Sequence, residues 1–567
     1  MILLNPHDLG HESDDERTRE LMRETVEFFE AKGKRRLLED YYDRGWYADF
    51  LEFAKDNRLL ATMCTPEGEG ADDTGDVRWD TWRVCQFAEI LGFYGLQYWY
   101  TWQVSVLGLG PIWMSANEAV RKRATQALED GGIFAFGLSE KTHGADIYST
   151  DMVLTKDGDG WKANGSKYYI GNGNEAAIVS TFGRLDGGNE YVFFASDPKH
   201  ENYHLVKNVV ASQNYVSEFE LRDYPVSEKD ILHRGRDAWN AALNTVNIGK
   251  YNLGWASIGI CTHALYEAIT HANNRVLYGN PVTDMSHVRN MFVDAYCRLV
   301  SMKLFALRAA DYMRSASRED RRYLLFNPMV KMKVTTQGED VINSMWDAIA
   351  AKGFEKDTYF SQAAVDIRAL PKLEGTVHVN IALIVKFMAN YFFNPGEFPE
   401  VERQDQPHND DFLFDQGGAG GLGQIQFHDY RKTFDEFARI PNVALFAEQA
   451  DAFRELLASD PPGPDQMKDV DFLLAGGNLF AMVVYAQLIL ENAKVYEVDD
   501  DLVGQIFDFM IRDTAQHALA LSLQASSTEK QMAQCREMMR KPIADPARYG
   551  RVWESVRELD GAYEMKP

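Results

Sequence analysis

The 567-residue chain is short of positive charge: 59 lysines and arginines stand against 85 aspartates and glutamates, a formal net charge of -26. Such a surface repels a phosphate backbone and the anionic face of a membrane, which argues against nucleic-acid binding. Cysteine is scarce as well. Its five copies, Cys64, Cys85, Cys261, Cys297 and Cys535, are scattered with no CxxC pair, which excludes a disulfide framework and fits a reducing compartment. No uninterrupted apolar run reaches the roughly 18 residues of a membrane span. The amino terminus, MILLNPHDLGHESDDERTRE, turns acidic before the apolar region of a signal peptide could form, so a cytoplasmic location is expected. HExxH, an EF-hand loop and a zinc-ligand cluster are all missing and the 13 histidines are dispersed, so no metal is expected.

What is present is an ordinary globular composition, 45% hydrophobic and 25% charged, long enough to build several domains. Over residues 1–130 apolar residues recur at helical spacing, as at Phe28, Phe29, Leu37, Leu38, Tyr41 and Tyr42, with one Gly-rich break at TPEGEGADDTG; this reads as a helical domain. Residues 131–233 change to short β-branched and aromatic runs (MVLT, WKANGSKYYI, AIVSTFG, EYVFFA, FELRDYPV) punctuated by DGDG, GNGN and LDGG, a compact β domain. Long amphipathic helices return over 234–394. Residues 395–567 open on a polar linker, NPGEFPEVERQDQPHNDDF, and continue as a further helical domain. The expected fold is mainly α with a central β domain.

Several local patterns carry chemistry or a plainer structural meaning. LPKLEGTVHVN places Glu374, Gly375 and Thr376 together, a pattern that also suits a helix N-terminus with an acidic first turn. FAFGLSEKTHGAD, residues 134–146, suits a strand ending in a polar turn. NGSKYYIGNG, residues 164–173, contains hairpin-turn signals. NNRVLYGNPVTD holds Arg275, Tyr278 and Gly279 just beyond a helix, and VNIGKYNLG holds Asn247 and Lys250. GLQYWYTWQ crowds Tyr98, Trp99, Tyr100 and Trp102, a stripe that most often builds core. GAGGLG, residues 418–423, satisfies GxGxxG but follows the polar DDFLFDQ instead of a buried strand, which excludes a Rossmann reading and leaves a flexible loop.

In their order and in their helix, strand, helix setting, these patterns resemble the acyl-CoA dehydrogenases over about residues 14–394. The long helical C-terminal extension resembles that of the very-long-chain branch and related bacterial enzymes. The resemblance implies a helical domain, a β-barrel domain and a four-helix bundle, FAD as cofactor and Glu374 as catalytic base. A base beside a thioester must abstract a weakly acidic α-proton, so a dry site that raises its pKa is expected. It also implies that backbone groups of Phe136 and Leu138 and the Ser139 hydroxyl edge the flavin, that Tyr169 covers it in place of a tryptophan, and that Thr376 and His378 belong to the cofactor side.

Arg275, with Tyr278 beside it, is the residue that in relatives reaches the flavin pyrophosphate of a neighbouring subunit, a task suited to a rigid cationic fork; an oligomer follows, and the extension favours a dimer over a tetramer. Ala145, Asn247, Lys250 and Gly375 fall on the substrate side, Lys250 being equally open to reading as a solvated helix lysine. The chain departs from the family pattern at Lys141, where relatives carry proline, at Ala145, where they carry serine, at Gly171, where they carry a threonine, and at Ala350-Ala351, where they carry a Gly-Gly pair. Dehydrogenation of a saturated acyl-CoA, with an electron-transferring flavoprotein as acceptor, is the implied activity. An acyl-CoA oxidase and a degenerate, non-catalytic partner subunit are the rivals, the departures motivating the second.

Overall fold

A computed structural model describes residues 2–9, 15–70, 75–146, 149–188, 190–418 and 420–567. Parts of the Gly-rich break TPEGEGADDTG and Ala419 of GAGGLG lie outside the described residues.

The chain opens with seven helices: α1 Glu16–Lys32, α2 Lys34–Asp43, α3 Ala48–Asp56, α4 Leu59–Cys64, α5 Thr81–Tyr94, α6 Leu96–Trp113 and α7 Glu118–Glu129. Capping explains several starts. Asp15, Asp80 and Asn117 accept hydrogen bonds from backbone N–H groups of the first turns of α1, α5 and α7, satisfying donors that a helix leaves unpaired. Every residue of α5 and α6 is buried. A helix enclosed on all sides needs no polar face, which is why GLQYWYTWQ shows no amphipathic period.

Strands follow: β1 Phe134–Gly137, β2 Val153–Asp157, β3 Gly160–Gly171, β4 Ile178–Leu185, β5 Tyr191–Ser196, β6 Tyr203–Asn208, β7 Val216–Val226 and β8 Ile231–Arg234. They form one eight-stranded sheet in the order β6-β7-β3-β2-β4-β5-β8, with β1 added beside β4. β4 runs parallel to both β1 and β2, and the other pairs are antiparallel. The sheet has its own apolar centre around Leu154, Ala163, Phe194 and Phe219. Its other face joins the helical core through Phe134, Phe182 and Phe193.

Two long helices then dominate, α8 Gly235–Asn274 and α9 Ser286–Arg314, joined through a small hairpin, β9 Val276–Leu277 and β10 Asn280–Pro281. Tyr278 and Gly279 make its two-residue turn with φ of 54° and 85°, the left-handed pair that a tight hairpin demands. α10 Tyr323–Met329, a π-helical turn over Val330–Val334 and α11 Thr335–Ile349 run on without a break, followed by α12 Phe360–Ala369, α13 Val377–Ile384 and α14 Met388–Phe393.

The stretch read from sequence as a linker is packed against the body. Arg314 at the end of α9 bridges Asp80 at 3.3 Å and Asp410 at 3.2 Å, and donates to the carbonyl of Gln406 at 2.7 Å. Asp410 also accepts from the N–H of Thr81 at 2.7 Å, so the segment is tied to the start of α5. Beyond it come α15 Tyr430–Glu436, α16 Pro441–Ser459, α17 Val470–Val495, α18 Asp500–Ser522, α19 Glu529–Met538 and α20 Pro546–Arg557. α17 is long and apolar enough to cross a membrane by composition, as is the bent pair spanning residues 360–372 and 377–393. In α17, however, 78% of the apolar window is buried inside the fold, where it is a core helix. The last residues return to the first: the backbone N–H of Lys34 donates to the carbonyl of Lys566 at 2.8 Å, and the Tyr563 hydroxyl to Glu30 at 2.7 Å.

Candidate active site

Glu374 stands on a sharp turn between the short helical turn Leu370–Lys372 and α13. Its φ is 52°, and that of Gly375 is 85°; consecutive left-handed residues reverse the chain at once, at a steric cost for the glutamate. Thr376 caps α13, its hydroxyl accepting from Val379 N–H at 3.4 Å. EGT thus leads into a helix N-terminus, but Glu374 precedes the cap and the first turn of α13 carries no acidic residue.

The turn aims the Glu374 carboxylate inward, against α6 and α8. Oε1 accepts from the Gln103 amide at 2.6 Å, while Oε2 is cut off from solvent and has no hydrogen-bond partner. Gln103 is itself fixed: its amide also donates to the Gly249 carbonyl at 3.0 Å, and its Oε1 accepts from Asn252 at 3.0 Å. Gly249 permits this approach. A Cβ there would stand 3.0 Å from Glu374 Oε2 and 2.5 Å from Leu107 Cδ2, so α8 can pass the carboxylate only where it carries no side chain.

Burial pushes the Glu374 carboxyl up to about 7, against the lowering effects of the Gln103 hydrogen bond and of the Lys250 and Lys331 charges. Although the residue as a whole is only half-buried, the orphaned, enclosed oxygen decides the matter: desolvation acts on the carboxylate. Both lysines are enclosed as well. Burial lowers Lys250 to about 8 and Lys331 to about 7, with Glu374 pulling each back up. Lys250 is thus no solvated helix lysine; it faces the carboxylate from α8.

On the β domain, residues 136–140 form a braced rim. The Ser139 hydroxyl donates to the Tyr168 carbonyl at 2.9 Å, and Tyr168 N–H returns a bond to Ser139 O at 3.0 Å. Beneath them Lys167 and Glu140 make a buried ion pair at 2.6 Å, and Lys167 also donates to the Leu138 carbonyl at 3.0 Å. Both Glu140 oxygens are further used by Thr150 and by the N–H of Asp151. Although Glu140, His143 and Asp151 bring three potential ligand atoms together, the first is already committed. Phe136, Leu138 and Ser139 are half-buried.

Tyr169 is the extra residue of a β-bulge: Tyr168 pairs with Glu218 and Ile170 with Ser217, leaving Tyr169 unpaired. Its φ of 68° and 44% exposure turn the ring out of the sheet, as bulges do near functional sites. Gly171, two residues on, has a packing reason. A Cβ there would lie 2.7 Å from both Tyr100 and Val104, so the threonine of the family pattern has no room while Tyr100 occupies that space. Trp99, by contrast, is fully enclosed in the core.

The remaining sequence-predicted residues lie elsewhere. Arg275 caps the C-terminus of α8 and lines a cleft of about 1300 Å³ together with Lys34, Glu267, His271, Lys356 and Tyr563. None of the Glu374 group lines that cleft. Tyr278 is 96% exposed at the hairpin tip. His378 and Ala145 are exposed and Asn247 is half-buried, its carbonyl accepting from Asn327 at 3.2 Å. Ala350, one of the Ala-Ala pair, adopts φ 54° and ψ -134° at the end of α11, a conformation natural to glycine. A short 3-10 turn, Asp411–Phe414, and no strand precedes the GAGGLG segment, whose Gly418 and Gly420 carbonyls accept from Arg321 at 3.3 and 3.2 Å.

Sequence reasoning missed Gln103, Asn252 and Lys331. A signal existed: Gln103 is one of few polar residues in the largely apolar α6, and Lys331 directly follows the mostly apolar run LLFNPMV.

Residues 237–389 match the family model described as Acyl-CoA dehydrogenase, C-terminal domain, the span that carries Gly249, Lys250, Lys331 and Glu374. Over this span the chain carries an acyl-CoA dehydrogenase C-terminal domain. It is 24% identical to the short-chain specific acyl-CoA dehydrogenase of Megasphaera elsdenii over 293 residues, covering 48% of this chain and 72% of that one. The acyl-CoA dehydrogenase of Bacillus subtilis is 23% identical, covering 50% and 75%. Among solved structures, the Bacillus anthracis acyl-CoA dehydrogenase complexed with FAD superposes with a TM-score of 0.75 at 16% identity, covering 99% of this chain and 97% of that one. Butyryl-CoA dehydrogenase from Megasphaera elsdenii gives 0.57 at 19% identity and covers 65% of this chain and 97% of that one. The acyl-CoA dehydrogenase fold thus comes with and without a counterpart of the C-terminal extension.

Proposed function

We propose that this protein is an acyl-CoA dehydrogenase, an FAD-dependent oxidoreductase that removes the α-proton of a saturated acyl-CoA thioester with Glu374 and yields the trans-2-enoyl-CoA. The observation that carries the reading is the enclosed Glu374 carboxylate, with one oxygen held by Gln103 and the other unpartnered. A carboxylate whose pKa is lifted to about 7 is a competent base near neutral pH, because it is available unprotonated and still binds a proton strongly.

The residues fit the cofactor. Tyr169 presents an exposed aromatic ring on a fixed bulge beside the half-buried Leu138 and Ser139, and Ser139, whose proton is engaged by Tyr168, keeps acceptor lone pairs free. When bound, FAD supplies the acceptor for the β-hydride. Phe136, Leu138, Ser139 and Tyr169 hold its ring on one chain. Arg275 in its separate cleft, with the exposed Val276, Leu277 and Tyr278 alongside, supports an assembly in which a second chain completes the cofactor site, a homodimer in our reading. Thr376 and His378 extend the cofactor side, and Ala145, Asn247, Lys250 and Gly375 the thioester side. Gln103 orients the base, and the walls of α6 and α8 exclude water from it. Electrons pass on to an electron-transferring flavoprotein, and the acidic chain with five free, buried cysteines works in the cytoplasm.

The test is an anaerobic absorbance titration of the flavin-loaded protein with saturated acyl-CoAs of graded chain length, beside Glu374→Gln. Bleaching by one chain-length class in the parent alone supports the reading; flavin that no acyl-CoA bleaches removes it.

A further inference from the structure

Lys331 occupies the π-helical turn that interrupts the α10–α11 helix, and such turns are frequently found at functional sites. Its side chain is wholly enclosed. Among the described residues no carboxylate forms an ion pair with it. Instead its ammonium donates to the Pro371 carbonyl at 2.6 Å and to the Gly375 carbonyl, one before Glu374 in the chain and one after it. A buried ammonium without a counter-ion is costly to keep, and apolar packing alone would be better served by another side chain.

We infer that Lys331 is a positioning residue for the base, its ammonium clamping the two sides of the left-handed turn that aims Glu374 inward; the inference rests on the proposed role of Glu374. A non-glycine residue at φ 52° persists only where its surroundings over-determine it. The clamp is reinforced by Asn380, whose amide donates to the Gly375 and Thr376 carbonyls at 3.2 and 2.9 Å. The charges facing Lys331 are Glu374 from the turn, Lys250 from α8 and Lys372 from the turn's first residues. Lys331 therefore does two separable things: it donates two hydrogen bonds that hold the turn, and in its protonated form its charge steadies the ionised carboxylate.

The experiment compares Lys331→Met, which removes donor and charge, with Lys331→Gln, which keeps a donor and loses the charge. The Glu374 carboxyl is titrated by infrared difference spectroscopy on the resting, flavin-loaded protein, with Glu374→Gln as the subtraction reference, and kcat and KM are measured beside it. The expected result is a higher carboxyl midpoint in both variants, and a kcat loss of about tenfold in Lys331→Met at nearly unchanged KM, partly recovered in Lys331→Gln. A parent-like midpoint in either variant overturns the inference, as does a Lys331→Gln no faster than Lys331→Met. Should Lys331→Met fail to fold, the midpoint of Lys331→Gln decides alone. If no acyl-CoA bleaches the parent flavin, the functional reading fails, while the infrared titration still reports whether Lys331 acts on Glu374.

Discussion

Gln103 Nε2 lies 2.6 Å from Glu374 Oε1, 271 positions away in sequence, and the same amide is held by the Gly249 carbonyl. The base is therefore oriented by a helix of the first domain and by the main chain of α8 as well as by its own turn. A hydrogen bond to the ionised form lowers the pKa that burial raises. In Gln103→Leu the carboxyl rises further, so the acid limb of the kcat profile moves to higher pH and turnover on that limb falls roughly tenfold. A steady-state pH profile checks this; an unmoved acid limb contradicts it.

Glu374→Gln should cost about a hundredfold to ten-thousandfold in the rate of flavin reduction, the range of a lost general base. It should also change stability in a pH-dependent way. The carboxyl titrates near its ordinary value when unfolded but at about 7 when folded, so between those values the native state holds the extra proton and stability falls as pH rises. The burial cost is complete above about 7 and absent below the unfolded pKa. Glu374→Gln is accordingly expected to gain thermal stability over the parent at pH above about 8, with the gain vanishing in mild acid, as paired calorimetric scans would show.

Gly171→Thr restores the family residue but drives its Cβ to 2.7 Å from Tyr100 and Val104. Overpacking of this kind costs about 1–3 kcal/mol. Chemical denaturation of the single variant should show that loss, and Tyr100→Ala in the same chain should recover part of it, because the two side chains compete for one space. Strict additivity would refute the coupling.

Lys167→Met leaves Glu140 buried without its 2.6 Å partner. Breaking a buried pair on one side costs about 3–5 kcal/mol. Because Lys167 also holds the Leu138 carbonyl, the flavin should be lost more readily as well; absorbance of the purified variant against its protein concentration measures this.

Ala350→Gly relieves a conformation with φ of 54° and ψ of -134°, sparsely populated by L-residues at a cost of about 1–3 kcal/mol. A raised Tm is expected, and a lowered one would show that Ala350 is not strained.

The order of helices, strands and helices was legible in the sequence because period 3.6 and period 2 patterns and Gly-rich turns are local properties. The strand and polar turn of residues 134–146 were legible for the same reason, whereas NGSK, with its hairpin-turn signal, lies inside β3, where pairing with β7 overrides the local turn preference. α5 and α6 were harder, since complete burial erases the amphipathic pattern, and α17 passes as a membrane span by composition although its apolar window is buried.

The sequence by itself determined that a carboxylate is followed by glycine and threonine near a helix start, that short β-rich runs separate two helical regions, and that the chain is acidic with no disulfide framework. Only the tertiary structure decided what Glu374 faces. Gln103, Asn252, Gly249, Lys250 and Lys331 come from three separate helical stretches, and nothing local marks them as neighbours of residue 374. A pKa is set by burial and by charges within a few ångströms, and those distances exist only once α6, α8 and the π-helical turn are packed together.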